Sequence, residues 1–105
     1  MYLSPAEHEL LRRLRASLEA TFGERLAQLV VFGSRARGTG HEESDLDVLV
    51  LVDGLTSAER RQIIDHAYDL ELDAGLRLSP LVRDTASWPP QSLLAAEIAR
   101  DGAPV

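Results

Sequence analysis

Asp45 and Asp47 stand one residue apart at the start of an apolar run, Leu46–Val52. Side chains two apart on a strand project to the same face. A strand here therefore sets two carboxylates side by side and turns Leu46 the other way. Like charges so close repel, which costs free energy unless a cation compensates. With no histidine or cysteine beside them, the pair offers hard oxygen donors. That suits Mg2+, which is held by one or two carboxylates together with substrate phosphates at roughly 2.0–2.1 Å.

A phosphate site precedes the acids in the chain. The run Leu29-Val30-Val31-Phe32 stops at Gly33-Ser34-Arg35-Ala36-Arg37-Gly38. Gly33 lets backbone approach a ligand closely. Ser34 offers a hydroxyl and an N–H. Gly33–Gly40 reads as a glycine-rich loop; a short helix beginning over Arg35–Gly38 would present free N–H groups to an anion, and Arg37 adds a forked, permanently charged donor. One strand end would grip phosphate and the next would grip the ion that neutralises it, the positioning and electrostatics that phosphoryl or nucleotidyl transfer needs. Two other phosphate signatures fail. Thr39 stands where a P-loop requires lysine, and no G-x-G-x-x-G occurs.

These residues need strands and turns to hold them. Ser4-Pro5-Ala6-Glu7 reads as a capped helix start, with Leu10, Leu11, Leu14 and Leu18 at helical spacing and Gly23 as the stop. Leu26–Phe32 and Leu46–Val52 read as strands covered on both faces. Thr56-Ser57-Ala58-Glu59 is a second capping box, opening a helix to about Asp73 with Gly75 as its stop. Leu76–Val82 reads as a third strand, in which Pro80 implies an edge, a bulge or an early end. Leu93–Arg100 is a last short helix, and Trp88 beside two prolines is its packing anchor. The whole chain, 1–105, is read as one α/β domain, a small mixed sheet with flanking helices.

Composition narrows the chemistry. The net charge is −6, which argues against wholesale binding to nucleic acid, a polyanion. All eleven basic residues are arginine and cysteine is absent, so lysine Schiff bases, thiol nucleophiles, zinc thiolates and disulfides are excluded. No stretch has the apolar length of a membrane span or a signal peptide. The expected setting is soluble and cytoplasmic, with no membrane contact.

The pattern Gly33-Ser34-x-x-Arg37-Gly38, followed by Ser44-Asp45-x-Asp47 before an apolar strand, resembles the signature of the nucleotidyltransferase superfamily that includes DNA polymerase beta. The small size resembles its minimal branch, often the antitoxin of a HEPN-type ribonuclease toxin. The resemblance spans about Leu26 to Asp84. It implies the polymerase beta-like fold, Mg2+ bound by Asp45 and Asp47 as catalytic acids, and triphosphate contacts from Ser34 and Arg37, with Gly33 and Gly38 shaping the nucleotide site. It further implies transfer of AMP from ATP to a hydroxyl of a partner protein, with a HEPN-like toxin as partner and a homo-oligomer as a possible assembly.

The superfamily places a third carboxylate on the following strand. Here that segment reads Gly75-Leu76-Arg77-Leu78-Ser79-Pro80, and Ser79 occupies the place of the acid. Glu71 and Asp73 belong to the preceding helix end, and Asp84 is read as lying past the strand. Two functions follow. One is Mg2+-dependent adenylyl transfer; the other is a catalytically impaired module of the same fold that binds nucleotide or a partner without transfer.

Overall fold

The computed structural model describes residues 3–37 and 45–105, with the backbone alone at Ser34 and Arg37. Helix α1, Pro5–Phe22, starts with the full capping box: Ser4 accepts from the Glu7 N–H at 3.1 Å and Glu7 accepts from the Ser4 N–H at 2.9 Å. A 3-10 turn, Gly23–Arg25, leads into strand β1, Leu26–Phe32. Short helix α2, Gly33–Arg37, follows at once, and strand β2 is Leu46–Val52. Helix α3, Ser57–Ala74, opens on the expected Thr56–Glu59 box and ends at Gly75, whose φ of +68° is the left-handed cap geometry. Strand β3 is Leu78–Asp84; a second 3-10 turn, helix α4 (Leu93–Asp101) and strand β4 (Ala103–Pro104) complete the order.

The sheet order is β3-β2-β1-β4. Strands β1 and β2 are antiparallel, while β2 and β3 are parallel and joined through α3, so the sheet is mixed as expected. β3 is an edge strand, which is where Pro80 does no harm, because the missing N–H faces away from the ladder.

Alternation along the strands divides the core into two. Leu29, Val31, Leu46, Val48, Val50, Val52, Leu78 and Val82 face α1 and α3 and join Leu10, Leu14, Leu18, Ile63, Ala67 and Leu70 in the larger cluster. Val30, Phe32, Leu49, Leu51 and Leu81 face the other way, toward Ile98 of α4 and Trp88. Trp88 is thus the packing anchor read from its prolines. Burial on both faces explains the unbroken hydrophobicity of β2.

Several boundaries differ from the sequence reading: α2 occupies the start of the segment read as a glycine-rich loop, α4 runs one residue further to Asp101, and β3 is shifted along the chain. β3 begins at Leu78, because Leu76 and Arg77 belong to the connection, where the Arg77 carbonyl accepts from the Leu46 N–H at 3.0 Å. Asp84, read as past the strand, is its last residue and is paired with Val52. The two-residue β4, which pairs with Val30 and Val31, went unforeseen.

Candidate active site

The register brings the C-terminal end of β1 and the N-terminal ends of β2 and β3 to one edge of the sheet. Phe32 pairs with Asp47, and Asp47 pairs with Ser79. Leu46 is buried toward α1 and α3. By strand alternation Asp47 belongs to the opposite face, shared with Leu49 and Leu51, and Asp45 lies immediately before the strand. Asp45 is exposed and Asp47 half-buried. The two acids therefore stand at the mouth of a strand otherwise locked in the core.

Gly33 is tied to this pair by geometry. Its φ is +78°, a conformation side chains disfavour. A Cβ added there would collide with Asp47 Oδ2 and lie 3.2 Å from its Cγ. The turn from β1 into α2 is therefore closed directly against the carboxylate, and only glycine leaves room for both. Gly33 also starts α2, so the first backbone N–H groups of that turn lack intrahelical partners. The side chains of Ser34 and Arg37, and all of Gly38, lie outside the described residues, as does the loop histidine His41.

Arg35, which the motif left unassigned, has a structural task. Its guanidinium donates 2.7 Å hydrogen bonds into the Glu7 carboxylate, and both side chains are more than nine-tenths buried. Burial raises the Glu7 pKa, but hydrogen bonds from Arg35 and from the Ser4 backbone, with the Arg35 charge, outweigh it and hold the carboxyl below the usual range. One carboxylate thus caps α1 and anchors α2 across 28 residues of sequence. The capping box gave no sign of that second partner.

The acids that could complete a catalytic set are committed elsewhere. Glu71 accepts from the Leu78 N–H at 3.1 Å, fastening the start of β3. Asp73 is paired with Arg13 at 2.7 Å. Asp84 accepts from the Gly54 N–H at 3.1 Å, five residues along β3 from Ser79 and so roughly 16 Å from it. The residue beside Asp47 on the next strand is the exposed Ser79. Among the described residues no group of three His, Cys, Asp or Glu side chains could hold a metal. Two carboxylates against a glycine turn do fit a divalent ion whose remaining ligands come from phosphate and water.

This geometry has known relatives. The family model described as "Nucleotidyltransferase domain" matches residues 11–99. A protein of Methanocaldococcus jannaschii named "Putative protein adenylyltransferase MJ0141" is 33% identical over 75 residues, covering 70% of this chain and 76% of its own. A solved structure described as "Structure of putative minimal nucleotidyltransferase" superposes with a TM-score of 0.59 at 31% identity, covering 93% of this chain and 94% of that one. Another, a toxin-antitoxin with AMP-PNP, gives 0.56 at 26%, covering 88% and 69%. With the aspartate pair, the glycine turn and the sheet register agreeing with a match over most of its length, the chain belongs to the nucleotidyltransferase domain family.

Proposed function

We propose that this chain binds ATP with Mg2+ and transfers AMP to a hydroxyl of a partner protein. The observation that carries the reading is the closure of the Gly33 turn against the Asp47 carboxylate, with Asp45 two residues before it at the mouth of β2. Asp45 and Asp47 would hold Mg2+, which when bound neutralises phosphate charge and aligns the triphosphate. The β1–α2 turn, with Ser34, Arg37 and Gly38, would take the phosphates. In the transfer the attacking hydroxyl oxygen bonds to the α-phosphorus, the bond to the bridging oxygen breaks, pyrophosphate leaves, and the hydroxyl proton passes to a base. The likeness to a toxin-antitoxin structure holding AMP-PNP supports ATP as the nucleotide and a toxin as the partner; a HEPN-type toxin as the acceptor is part of the proposal and comes from the motif resemblance alone. A cytoplasmic setting agrees with this, and no helix of the described residues is long and apolar enough to cross a membrane.

The second reading, binding without transfer, rests on Ser79. A serine beside Asp47 leaves no third carboxylate at that position of β3 to receive the hydroxyl proton, and general-base assistance is typically worth about 10²–10⁴-fold in rate. Calorimetry with ATP, with and without Mg2+, tests the site; incubation with labelled ATP and the protein encoded beside this chain tests transfer. Asp45→Asn with Asp47→Asn should abolish Mg2+-dependent ATP binding, and the metal-free fold should lose no stability, because the repulsion between the two charges is gone. Equal affinity in wild type and variant contradicts the site. Tight ATP binding with no labelled product selects the second reading.

A further inference from the structure

Helix α3 buries Ile63, Ala67 and Leu70 against the sheet and α1. Its outward face is not the polar surface that an amphipathic helix normally shows water. Ile64, Tyr68 and Leu72 recur every four residues there and are 39%, 58% and 63% exposed. This spacing stacks them in one ridge. A second ridge runs beside it, offset by one residue: Asp65, Asp69 and Asp73. Asp73 is paired with Arg13. Neither Asp65 nor Asp69 has a hydrogen bond or ion pair to any described residue.

The placement of these acids is itself unfavourable. Asp69, Glu71 and Asp73 lie in the last two turns of α3, and no basic residue stands in the last turn. That end of a helix carries the negative pole of the backbone dipole, where cations stabilise and anions do not. An apolar ridge costs little alone, but one flanked by the unpaired Asp65 and Asp69, with no basic residue in the last turn beyond them, is poised for a cationic apolar surface.

We propose that the outward face of α3 docks a basic amphipathic helix of another protein, whose apolar seam covers Ile64, Tyr68 and Leu72 while its lysines or arginines meet Asp65 and Asp69. Charge decides among the occupants. A second copy laid antiparallel and centred on Tyr68 brings the Asp65 and Asp69 carboxylates of both chains together. Anionic lipid and nucleic acid meet the same repulsion. The exposed Arg61, one turn before Ile64, marks the end of the acidic stretch and sets the direction in which a basic helix lies. α3 covers the face of the sheet opposite Asp45, Asp47 and Ser79, so the docked helix leaves the nucleotide edge open. The inference goes beyond nucleotide transfer and does not depend on it.

The probe is a fluorescein-labelled amphipathic helical peptide with a leucine seam flanked by lysines, compared with a twin flanked by glutamates, read by anisotropy. The lysine peptide should bind about five- to tenfold tighter, from two ion pairs gained against two repulsions. The margin should shrink as salt rises above 0.1 M, where the screening length falls below ~10 Å. Tyr68→Gln with Leu72→Gln, both at exposed positions, should abolish binding. Asp65→Asn with Asp69→Asn should equalise the two peptides. Equal binding of both peptides to wild type, or unchanged binding by either variant, overturns the proposal. So does self-association of wild type in sedimentation that Leu72→Gln removes, which assigns the ridge to a second copy.

Discussion

At one end of the sheet β2 starts with Asp45 and Asp47 beside Gly33; at the other it runs into Asp53 and Gly54 beside Arg25. Both ends hold aspartates, and both hold a glycine at positive φ, +78° for Gly33 and +66° for Gly54. Their charges are treated differently. At the far end Arg25 donates to the carbonyls of Asp53 and Gly54, each at 3.0 Å, and makes two 2.8 Å bonds to Glu59. Asp84 receives the Gly54 N–H. Donors and acceptors there answer one another, and the cluster closes the turn between β2 and α3. At the near end Asp47 has a serine for its neighbour on β3, and Asp45 stands just before the strand. The far end ties its charges into a turn, while the near end gathers two acids at the mouth of β2, a concentration of like charge common at binding sites.

The sharpest way to break this contrast is to finish the near end as a catalytic set. Ser79→Asp puts a third carboxylate beside Asp47 on an exposed position, where it can take the proton of an attacking hydroxyl. If adenylyl transfer is the function, its rate should rise about 10²-fold or more while ATP affinity stays nearly constant. Because Pro80 follows, circular dichroism must first show a native spectrum. A folded variant with an unchanged rate removes Ser79 from the catalytic position.

The Glu7–Arg35 pair supports the near end from below. Arg35→Ala leaves a buried carboxylate uncompensated, and the expected loss is about 3–5 kcal/mol in denaturant unfolding. Replacing both partners, Glu7→Gln with Arg35→Met, should cost far less than that, since no buried charge is stranded. If the single and double variants lose the same stability, the pair is not coupled as its geometry requires. The acid limb carries a second test. Glu7 has a lowered pKa in the folded state, so its contribution is complete above the ordinary carboxylate value and is lost as pH falls through the folded one. Glu7→Gln should therefore flatten the decline in melting temperature below about pH 4.5.

Much of this was legible in the chain. β1 and β2 were placed to the residue because each ends in a dense apolar run, Leu29–Phe32 and Val48–Val52, that stops at a glycine or a charge. The helix starts were legible because a capping box is written within four residues. The aspartate pair was legible from alternation, Gly33 from the stop of an apolar run, and Ser79 from the place that the family resemblance gives a third carboxylate. What escaped depends on distant partners. Nothing near Arg35 reveals that it meets Glu7 across 28 residues, and nothing around the two residues of β4 shows that they join β1. Asp84 looked like loop because a terminal acid is a poor strand former; pairing with Val52 and the Gly54 N–H hold it in the ladder.

Gly33→Ala comes next in size. The alanine takes on both the positive φ and the collision with Asp47, a combination worth of order 1–3 kcal/mol. The matching change at the far end, Gly54→Ala, carries the backbone cost alone, because nothing lies within 4 Å of its added Cβ. ATP binding should weaken in the first variant and not in the second. Equal effects on stability and binding at both glycines would erase the distinction between the two ends.

The smallest effect belongs to Glu59. Its carboxyl is held down to about 2, first by the Arg25 guanidinium and then by the Thr56 N–H of the capping box. A folded pKa below the ordinary 4.5 means that the contribution is present above 4.5 and fades as pH falls toward 2. The pair is only half-buried, so water and salt reach and screen it, and the gain in stability is slight. The measurement is the carboxyl chemical shift of Glu59 followed through acid by NMR. In wild type the midpoint should lie near 2; in Arg25→Gln it should climb most of the way to the ordinary value, while Thr56→Ala should move it less. Added salt should raise the wild-type midpoint and leave that of the buried Glu7 nearly where it was. A midpoint indifferent to Arg25 would mean that the capping box alone sets it, and that Arg25 closes the far end only through its bonds to the Asp53 and Gly54 carbonyls.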